Sequence, residues 1–535
     1  MGVSTFGGAS FNNTPQTESL NTRTTTNNSP TNLAQLGTTK AEGKSAYFGT
    51  EISYEIDSLS LLTAQFNVSG SRSNGDIFQN SLLSGNAGIL QGYSLANTSS
   101  GSGKSIDASL NYQLGFKRDK AKLLTFSYRY MNYSSDNTNT QLLTNRVNYT
   151  MPDLLQENNT KTVEQTLQVD YVRGFKKWLV EAGVKGILRD NGSDFQYSVV
   201  NGAGSAAINN YDGDQNILAA YNTWQYADKK WGIKAGARVE QTFTDANFIS
   251  TATNVRQNYL NVVPSVSMNL TLNKTSGLNF GYSQRLRRPS VSKLNPFVDR
   301  SNPNFLVAGN PELRRTLINS AQLSYRTSKK ASLTVSVTYD FVNGMDLPVA
   351  TLDPLTQITT TTYRNMGDIK AIGASANLSY PITKQLNFST NANAQHFTMR
   401  GEVAGVLQRN QVWMITSSST LAYTFASGWR VSGGVDVTGR NPTGLQGYSN
   451  GFVSTGLSAN KTLVKNKLTF SAAVRNPFTK YRYNITQTNG NDFTQLTNGQ
   501  LYFRSFTASL NYNFGKLKDA IKKNKRGINN DDVSK

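Results

Sequence analysis

No cysteine occurs in this 535-residue chain, and His396 is its only histidine. A disulfide framework and any Cys/His zinc site are therefore excluded. A single histidine also leaves no Ser/His/Asp or Cys/His arrangement for nucleophilic catalysis. Acidic residues are scarce, 33 against 54 lysines and arginines, which restricts metal sites built from carboxylates alone. No run approaches the ~20 apolar residues of a membrane helix. The first thirty residues show neither the basic region nor the apolar core of a signal peptide. Apolar residues make up only 37%, too few for a well-filled soluble core of this size and too many for a disordered chain.

Two motif-like stretches also fail on inspection. "SSGSGKS" (99–105) echoes a phosphate loop, but its required first glycine falls on Thr98. "DGDQN" (212–216) begins like a calcium loop, yet its sixth position is Ile217 and its twelfth Thr223. An enzyme is not expected, nor is any cofactor or resident metal.

The net charge of +21 raises nucleic acid or an anionic membrane as partner. The charge is dispersed, however, through short turns such as "KRDKAK" (117–122), "DKK" (228–230) and "KNK" (465–467), and through the tail 516–535. A nucleic-acid surface clusters its charge on one face, so no nucleic acid is expected.

What the chain does have is alternation with a period of two. In "ASLTVSVTYDF", Leu333, Val335, Val337, Tyr339 and Phe341 share one face, and Ser332, Thr334, Ser336, Thr338 and Asp340 the other. "SIDASLNYQLGF" and "FTASLNYNF" repeat the pattern. The runs are long for soluble strands, at 11 to 16 residues, and their polar face is Ser, Thr, Asn and Gln. An apolar face toward lipid and a polar face toward a wet lumen suit a membrane barrel. The fold class expected is all-β: a transmembrane, antiparallel, up-and-down β-barrel.

Nineteen strands are legible between residues 44 and 514, joined alternately by short turns and long polar loops. Short periplasmic turns and long extracellular loops are the asymmetry of outer-membrane barrels. Three regions are thus expected: a polar extracellular loop or disordered segment (1–43), the barrel (44–515) and a basic periplasmic tail (516–535). An odd strand count with a periplasmic C-terminus further implies an odd number of strands upstream of residue 1, which makes the chain a fragment.

One stretch reads differently. "YSQRLRRPSVSKLNPF" (282–297) is followed by "AGNPELRR" (308–315), with prolines at 289, 296, 303 and 311. Arg-Pro, Leu-Asn-Pro-Phe and Gly-Asn-Pro-x-Leu at this spacing resemble the mid-barrel signature of the outer-membrane β-barrel family of TonB-dependent receptors. "AAYNTWQYADKKWGIKAGARVEQTF" (219–243) resembles the family's preceding hairpin, and "SLNYNFGKLK" (509–518) its last strand. The family continues Gly-Asn-Pro-x-Leu with Lys-Pro-Glu, where this chain has "RRT" (314–316). The resemblance implies 22 strands, hence three missing, and an upstream plug domain that couples to TonB. It implies energy-coupled uptake of a scarce small ligand, a siderophore, oligosaccharide or peptide, across a Gram-negative outer membrane. Outer-membrane lipid is then a partner, and plug and TonB are partners of the full-length protein. A passive porin-like barrel and a soluble or surface adhesin are the alternatives.

Alternation directs Arg238, Glu240, Arg285 and Arg287 into the lumen, where they contact a plug or ligand or form a ladder of ion pairs. Arg288 is placed at the strand mouth. Pro289, Asn295, Pro296, Phe297, Gly309, Asn310, Pro311 and Leu313 are the signature of a long external loop, with Phe297 and Phe305 as its own apolar anchors.

Overall fold

The computed structural model describes residues 1–26, 29–119, 121–200, 207–249, 252–512, 528 and 530. Runs that alternate aliphatic or aromatic residues with Ser, Thr and Asn suit a pleated surface with unlike faces, and they build one sheet of twenty-six strands. The first group is β1 (Gly2–Thr25), β2 (Asn32–Glu55), β3 (Ser60–Gly85), β4 (Gly88–Gly115), β5 (Lys122–Val147), β6 (Leu154–Phe175), β7 (Trp178–Val199) and β8 (Ala207–Ala227). Then come β9 (Trp231–Phe248), β10 (Thr253–Asn273), β11 (Ser276–Arg287), one helical turn α1 (Val291–Leu294), β12 (Val298–Asn302) and β13 (Phe305–Ala308). Next are β14 (Thr316–Ser328), β15 (Ser332–Asp353), β16 (Ile358–Pro381), β17 (Leu386–Val403), β18 (Val406–Thr424) and β19 (Trp429–Thr438). The last are β20 (Asn441–Pro442), β21 (Gly447–Ser449), β22 (Phe452–Val464), β23 (Leu468–Arg475), β24 (Tyr481–Asn489), β25 (Phe493–Tyr502) and β26 (Ser505–Tyr512).

Wall strands pair antiparallel with their sequence neighbours, as the up-and-down expectation requires. β12, β13, β20 and β21 belong to loops, and β24 and β25 prolong β23 and β26 outward. Twenty wall strands remain among the described residues.

Two expectations change here. Residues 1–43, read as a polar loop, instead supply β1 and half of β2, in continuous register from Gly2↔Ser53 to Thr24↔Asn32 apart from one shift at Thr14/Thr17. Their Gly, Asn and Thr content hid the strand, because its face carries few large apolar residues. The odd count on which the parity argument rested is therefore replaced by twenty. The long loops also prove to be mostly strand: residues 71–103 are the ends of β3 and β4 around a two-residue turn at 86–87. Strands of 18 to 28 residues such as these exceed the ~9–11 residues needed to cross a membrane at a tilt, so they continue well beyond the bilayer. The β17–β18 turn shows how tightly they close: Ala404 and Gly405 both have positive φ, 50° and 80°, as a two-residue hairpin turn demands.

Directly paired residues share a face, and the two faces differ sharply. On β9, Trp231, Val239 and Phe243 lie outward and exposed, while Glu240 and Thr242 are buried on the inner side. Aromatic residues ring the short-turn end: Trp178 packs edge-on to Trp224 and against Tyr226. Lysines of that end lie over aromatic rings, Lys177 on Tyr226, Lys330 on Tyr380 and Lys461 on Trp429, at 5.2 to 5.7 Å. Part of the basic excess is thus an interfacial belt in which aromatic bodies face lipid and ammonium groups reach water.

The wall meets itself at one end only. Ser19–Thr25 of β1 pair with Gly499–Phe493 of β25. Below that zipper, among the described residues, β1 pairs with β2 and β26 with β23.

Candidate functional site

The arginine- and proline-rich stretch leaves the wall at the end of β11 and returns to it at β14. Its two Asn-Pro phrases bind each other. The Gly309 amide donates to the Asn295 carbonyl (2.9 Å), and the Asn310 amide to the Lys293 carbonyl (2.6 Å). A Cβ on residue 309 would stand 2.2 Å from the Asn295 carbonyl oxygen, so only glycine permits this clasp. The Asn295 side chain accepts from the Phe297 amide (3.1 Å), and that of Asn310 from the Glu312 amide (2.9 Å), which are Asx turns. Pro296 and Pro311 follow those asparagines, where a missing N–H costs nothing. Leu294 and Leu313 then close an apolar cluster with Tyr211, Ala246 and Phe248 of the wall.

The loop does not point outward. It crosses the mouth of the lumen to strands on the far side. Tyr93 of β4 donates to the Asn304 side chain, which also accepts from Ser81 of β3 and Gln35 of β2. Gln141 of β5 donates to the Arg300 carbonyl (3.0 Å) and Asn209 of β8 to Asn295 (3.0 Å). Phe297 packs at a tilt against Phe195 of β7 with ring centroids 3.5 Å apart, and Phe305 lies 5.8 Å from the Arg23 guanidinium of β1. Both phenylalanines, expected to anchor the loop to itself, anchor it to the wall. Burial pushes the Tyr93 hydroxyl up to about 12, against hydrogen bonds from Ser81 and Gln35. It remains a neutral donor to Asn304 throughout the physiological range.

The β15–β16 hairpin folds the same way. Arg23 donates to Thr359 (2.8 Å) and Gln357 (3.3 Å) at its tip. Burial lowers the Arg23 pKa to about 10, with Asp492 acting in the opposite sense. β13 adds to β16 as a short parallel strand, so loop and hairpin form one cap. Lys293 ties them again through Asp346 at 2.6 Å.

Beneath the cap, one half of the lumen carries a ladder of charge. Arg129 of β5 forks onto Asp107 of β4 (3.0 and 2.7 Å) and reaches Glu164 of β6 at 3.9 Å. Arg189 of β7 donates to Glu164 (2.6 Å) and to Gln215 (2.7 Å). Lys234 of β9 pairs with Glu181 of β7 at 3.2 Å. Glu240 holds Arg238 at 2.7 Å and Arg288 at 2.8 Å. The other half is poorer in ion pairs and mostly Ser, Thr and Asn, as the row Ser324–Ser336–Ser375–Asn393–Thr416 illustrates, with Asp340 and Asp436 among them. Such a lining solvates ions and polar solutes; no group of three or more metal-binding side chains occurs among the described residues.

A model of the outer membrane protein beta-barrel family matches residues 114–512. The chain belongs to this family. It is an outer-membrane protein, its short turns face the periplasm and its cap faces the outside. Among solved structures, the copper transporter OprC is similar, with a TM-score of 0.58 at 11% identity over 92% of this chain and 80% of that one. The ferric citrate transporter FecA in its unliganded form gives 0.53 at 11% identity over 91% and 78%. The ferric yersiniabactin uptake receptor FyuA from Yersinia pestis gives 0.52 at 11% identity over 92% and 80%. At such identities the likeness is one of fold. No curated protein matches.

Within this family barrel, Arg238, Glu240, Arg285 and Arg287 all project inward as alternation requires, and Glu240 joins the loop to the wall. Arg288 is not at an open mouth: it is 1% exposed, held by Glu240 and Thr242. Pro289, Asn295, Pro296, Phe297, Gly309, Asn310, Pro311 and Leu313 all lie in the loop between β11 and β14, which folds over the mouth as part of the cap. The charged pair Asp107–Arg129 was within reach of sequence reasoning, since Arg129 shares parity with Ser127 on its strand. The Gln35–Asn304–Tyr93 cluster was not, because nothing local marks three polar residues from distant strands as partners. The tail 516–535 lies outside the described residues except for Ile528 and Asn530. Asn530 donates to Glu164 (2.7 Å) and Thr166 (2.8 Å) on the inner face of β6, which is inside the lumen.

Proposed function

We propose that this barrel is the conducting wall of an energy-coupled, TonB-dependent receptor that takes up a scarce ligand. The observation that carries the reading is the cap. A loop rooted between β11 and β14 is hydrogen-bonded to β2, β3 and β4 across the lumen, so solute entry requires it to move. A passive pore has no use for a mouth bridged in this way, whereas a receptor that captures a ligand and then admits it does. The similar structures support the reading: they include a copper transporter, a ferric citrate transporter and a ferric yersiniabactin uptake receptor. A siderophore, oligosaccharide or peptide are the candidate ligands, and a plug domain and TonB the partners such coupling needs. A soluble adhesin has no need of the lipid-facing aromatic belt.

The test is conductance of the purified full chain in a planar lipid bilayer in KCl. Occasional or no openings are expected, with openings promoted by urea as the cap loosens. Steady, large conductance in the absence of denaturant would favour the porin-like reading and overturn this one.

A further inference from the structure

The ladder between β10 and β11 ends at Ser265↔Ser283, although both strands continue toward the cap. Pro264, the next residue up β10, has no N–H to offer a neighbour on that side. Above this point the two strands part, and β10 remains paired with β9 while β11 remains paired with β14. The resulting seam opens into the lumen below the loop.

Its sides are unusually cationic. Arg285 and Arg287 stand on β11 opposite Ile318 and Thr316 of β14, two residues apart and on the inner face. Strand geometry sets their Cα atoms roughly 6.6–6.8 Å apart. On the β10 side, Arg315 enters from the end of the loop, donates to Asn261 Oδ1 (2.6 Å) and lies 4.3 Å from the Tyr259 ring centre. The amide nitrogen of Asn261, itself only 5% exposed, has no hydrogen-bond partner. Elsewhere round the wall Arg129, Arg189, Lys234 and Arg288 each hold a carboxylate. Arg285 and Arg287 hold none among the described residues. Two carboxylates of this part of the wall are engaged elsewhere: Glu240 by Arg238 and Arg288, Asp340 by Gln395.

We propose that Arg285, Arg287, Arg315 and Asn261 form an anion-binding ledge under the cap, for a solute carrying two or more carboxylate or phosphate groups. The inference deepens the uptake reading and rests on it: a solute released by the cap would meet this ledge next. Two guanidiniums one strand repeat apart match anionic groups separated by a few bonds, each able to take a forked contact. The low position of Arg315 on an aromatic face fixes a third donor without neutralising it.

The experiment is isothermal titration calorimetry of the purified full chain in uncharged detergent, with inorganic pyrophosphate and tricarballylate as separate probes. Wild type is expected to bind at least one probe, with affinity falling as KCl is raised. R285Q/R287Q should weaken binding by about tenfold or more, as loss of charged hydrogen bonds does. R285K/R287K should fall between, because charge is kept and the fork is lost. Tighter binding of pyrophosphate or of tricarballylate distinguishes a phosphate from a carboxylate ligand. Neither probe binding to wild type, or R285Q/R287Q binding as wild type does, overturns the ledge. Heat-modifiable migration checks that each variant is folded. Conductance separates this result from the parent reading: a steadily open pore would sink the receptor while leaving anion binding intact, and a closed pore without binding would do the reverse.

Discussion

Arg288 Nη2 lies 2.8 Å from Glu240 Oε2, with the two side chains 1% and 8% exposed, and this pair joins the root of the cap to the barrel wall. The two partners are not equivalent. Glu240 is also held by Arg238 at 2.7 Å, so one carboxylate serves two arginines, and Arg288 donates to Thr242 as well at 2.7 Å. Glu240→Ala removes the carboxylate that both arginines share and should cost about 3–5 kcal/mol, the range for breaking a buried ion pair. Arg288→Met should cost less, since Glu240 keeps a partner. Unfolding temperatures in detergent check the order, and equal losses would show that the pair acts only as a unit.

Gly309→Ala tests the clasp between the two Asn-Pro phrases. The added Cβ would meet the carbonyl oxygens of Asn295 and Lys293 at 2.2 and 2.7 Å, and both are backbone atoms that cannot swing aside. A local cost of about 1–3 kcal/mol is expected, as for other overpacked sites. Limited proteolysis should then cut within residues 288–315 while the barrel stays heat-modifiable. Unchanged protection of that loop would count against the clasp.

Val337 is 49% exposed on the outer face of β15 and should lie near the middle of the bilayer. Val337→Arg is expected to destabilise by about 2–4 kcal/mol. Alternation alone nominates Ser336 as the tolerant comparator. Ser336 does face inward, but at 5% exposure it has no room for a long side chain. Asn391, exposed on the inner face of β17, is the better control, and Asn391→Arg should change the unfolding temperature little. Equal damage at 337 and 391 would contradict the assignment of faces.

These residues also show where sequence reading reaches and where it stops. Parity along a strand is local information, so it placed Arg285, Arg287 and Val337 on their faces without a fold. The cap is not local. Asn304 finds Gln35, Ser81 and Tyr93 only after more than two hundred residues of wall have closed around it. The same limit explains β1, whose strand character comes from pairing with β2 rather than from its own Gly-, Asn- and Thr-rich composition. It also explains why the prolines of residues 283–315 read as an outward loop: they fix local turns and say nothing of which side of the wall the loop takes.

Asp228 governs one periplasmic turn and should give it a recognisable pH dependence. The backbone amides of Trp231 and Lys230, then the Tyr226 hydroxyl, hold its pKa down to about 2. A carboxylate depressed below its ordinary value of 3.8 stabilises the fold above that value. The contribution is lost as pH falls from about 4 toward 2. Asp228→Asn should thus lower the unfolding temperature by a constant amount at neutral pH, and the gap to wild type should narrow over that acid window. A gap that persists to pH 2 would assign the effect to shape rather than charge.

The contact of Asn530 with Glu164 and Thr166 places part of the C-terminal tail within the lumen instead of the periplasm. Glu164 stands eleven residues above the foot of β6, roughly 36 Å along the strand. Asn530 lies eighteen residues beyond Tyr512, a span of up to about 60 Å when extended, so the chain is long enough to reach. Because the protein has no cysteine, Asn530→Cys with Thr166→Cys offers a clean test. The side chains lie 2.8 Å apart, so mild oxidation should join them, and a digest should recover one linked peptide pair. Moving the wall cysteine to Leu167, which faces lipid on the same strand, should abolish the link. Linkage at both positions would mean that the tail samples the surroundings at random, and linkage at neither would return it to the periplasm.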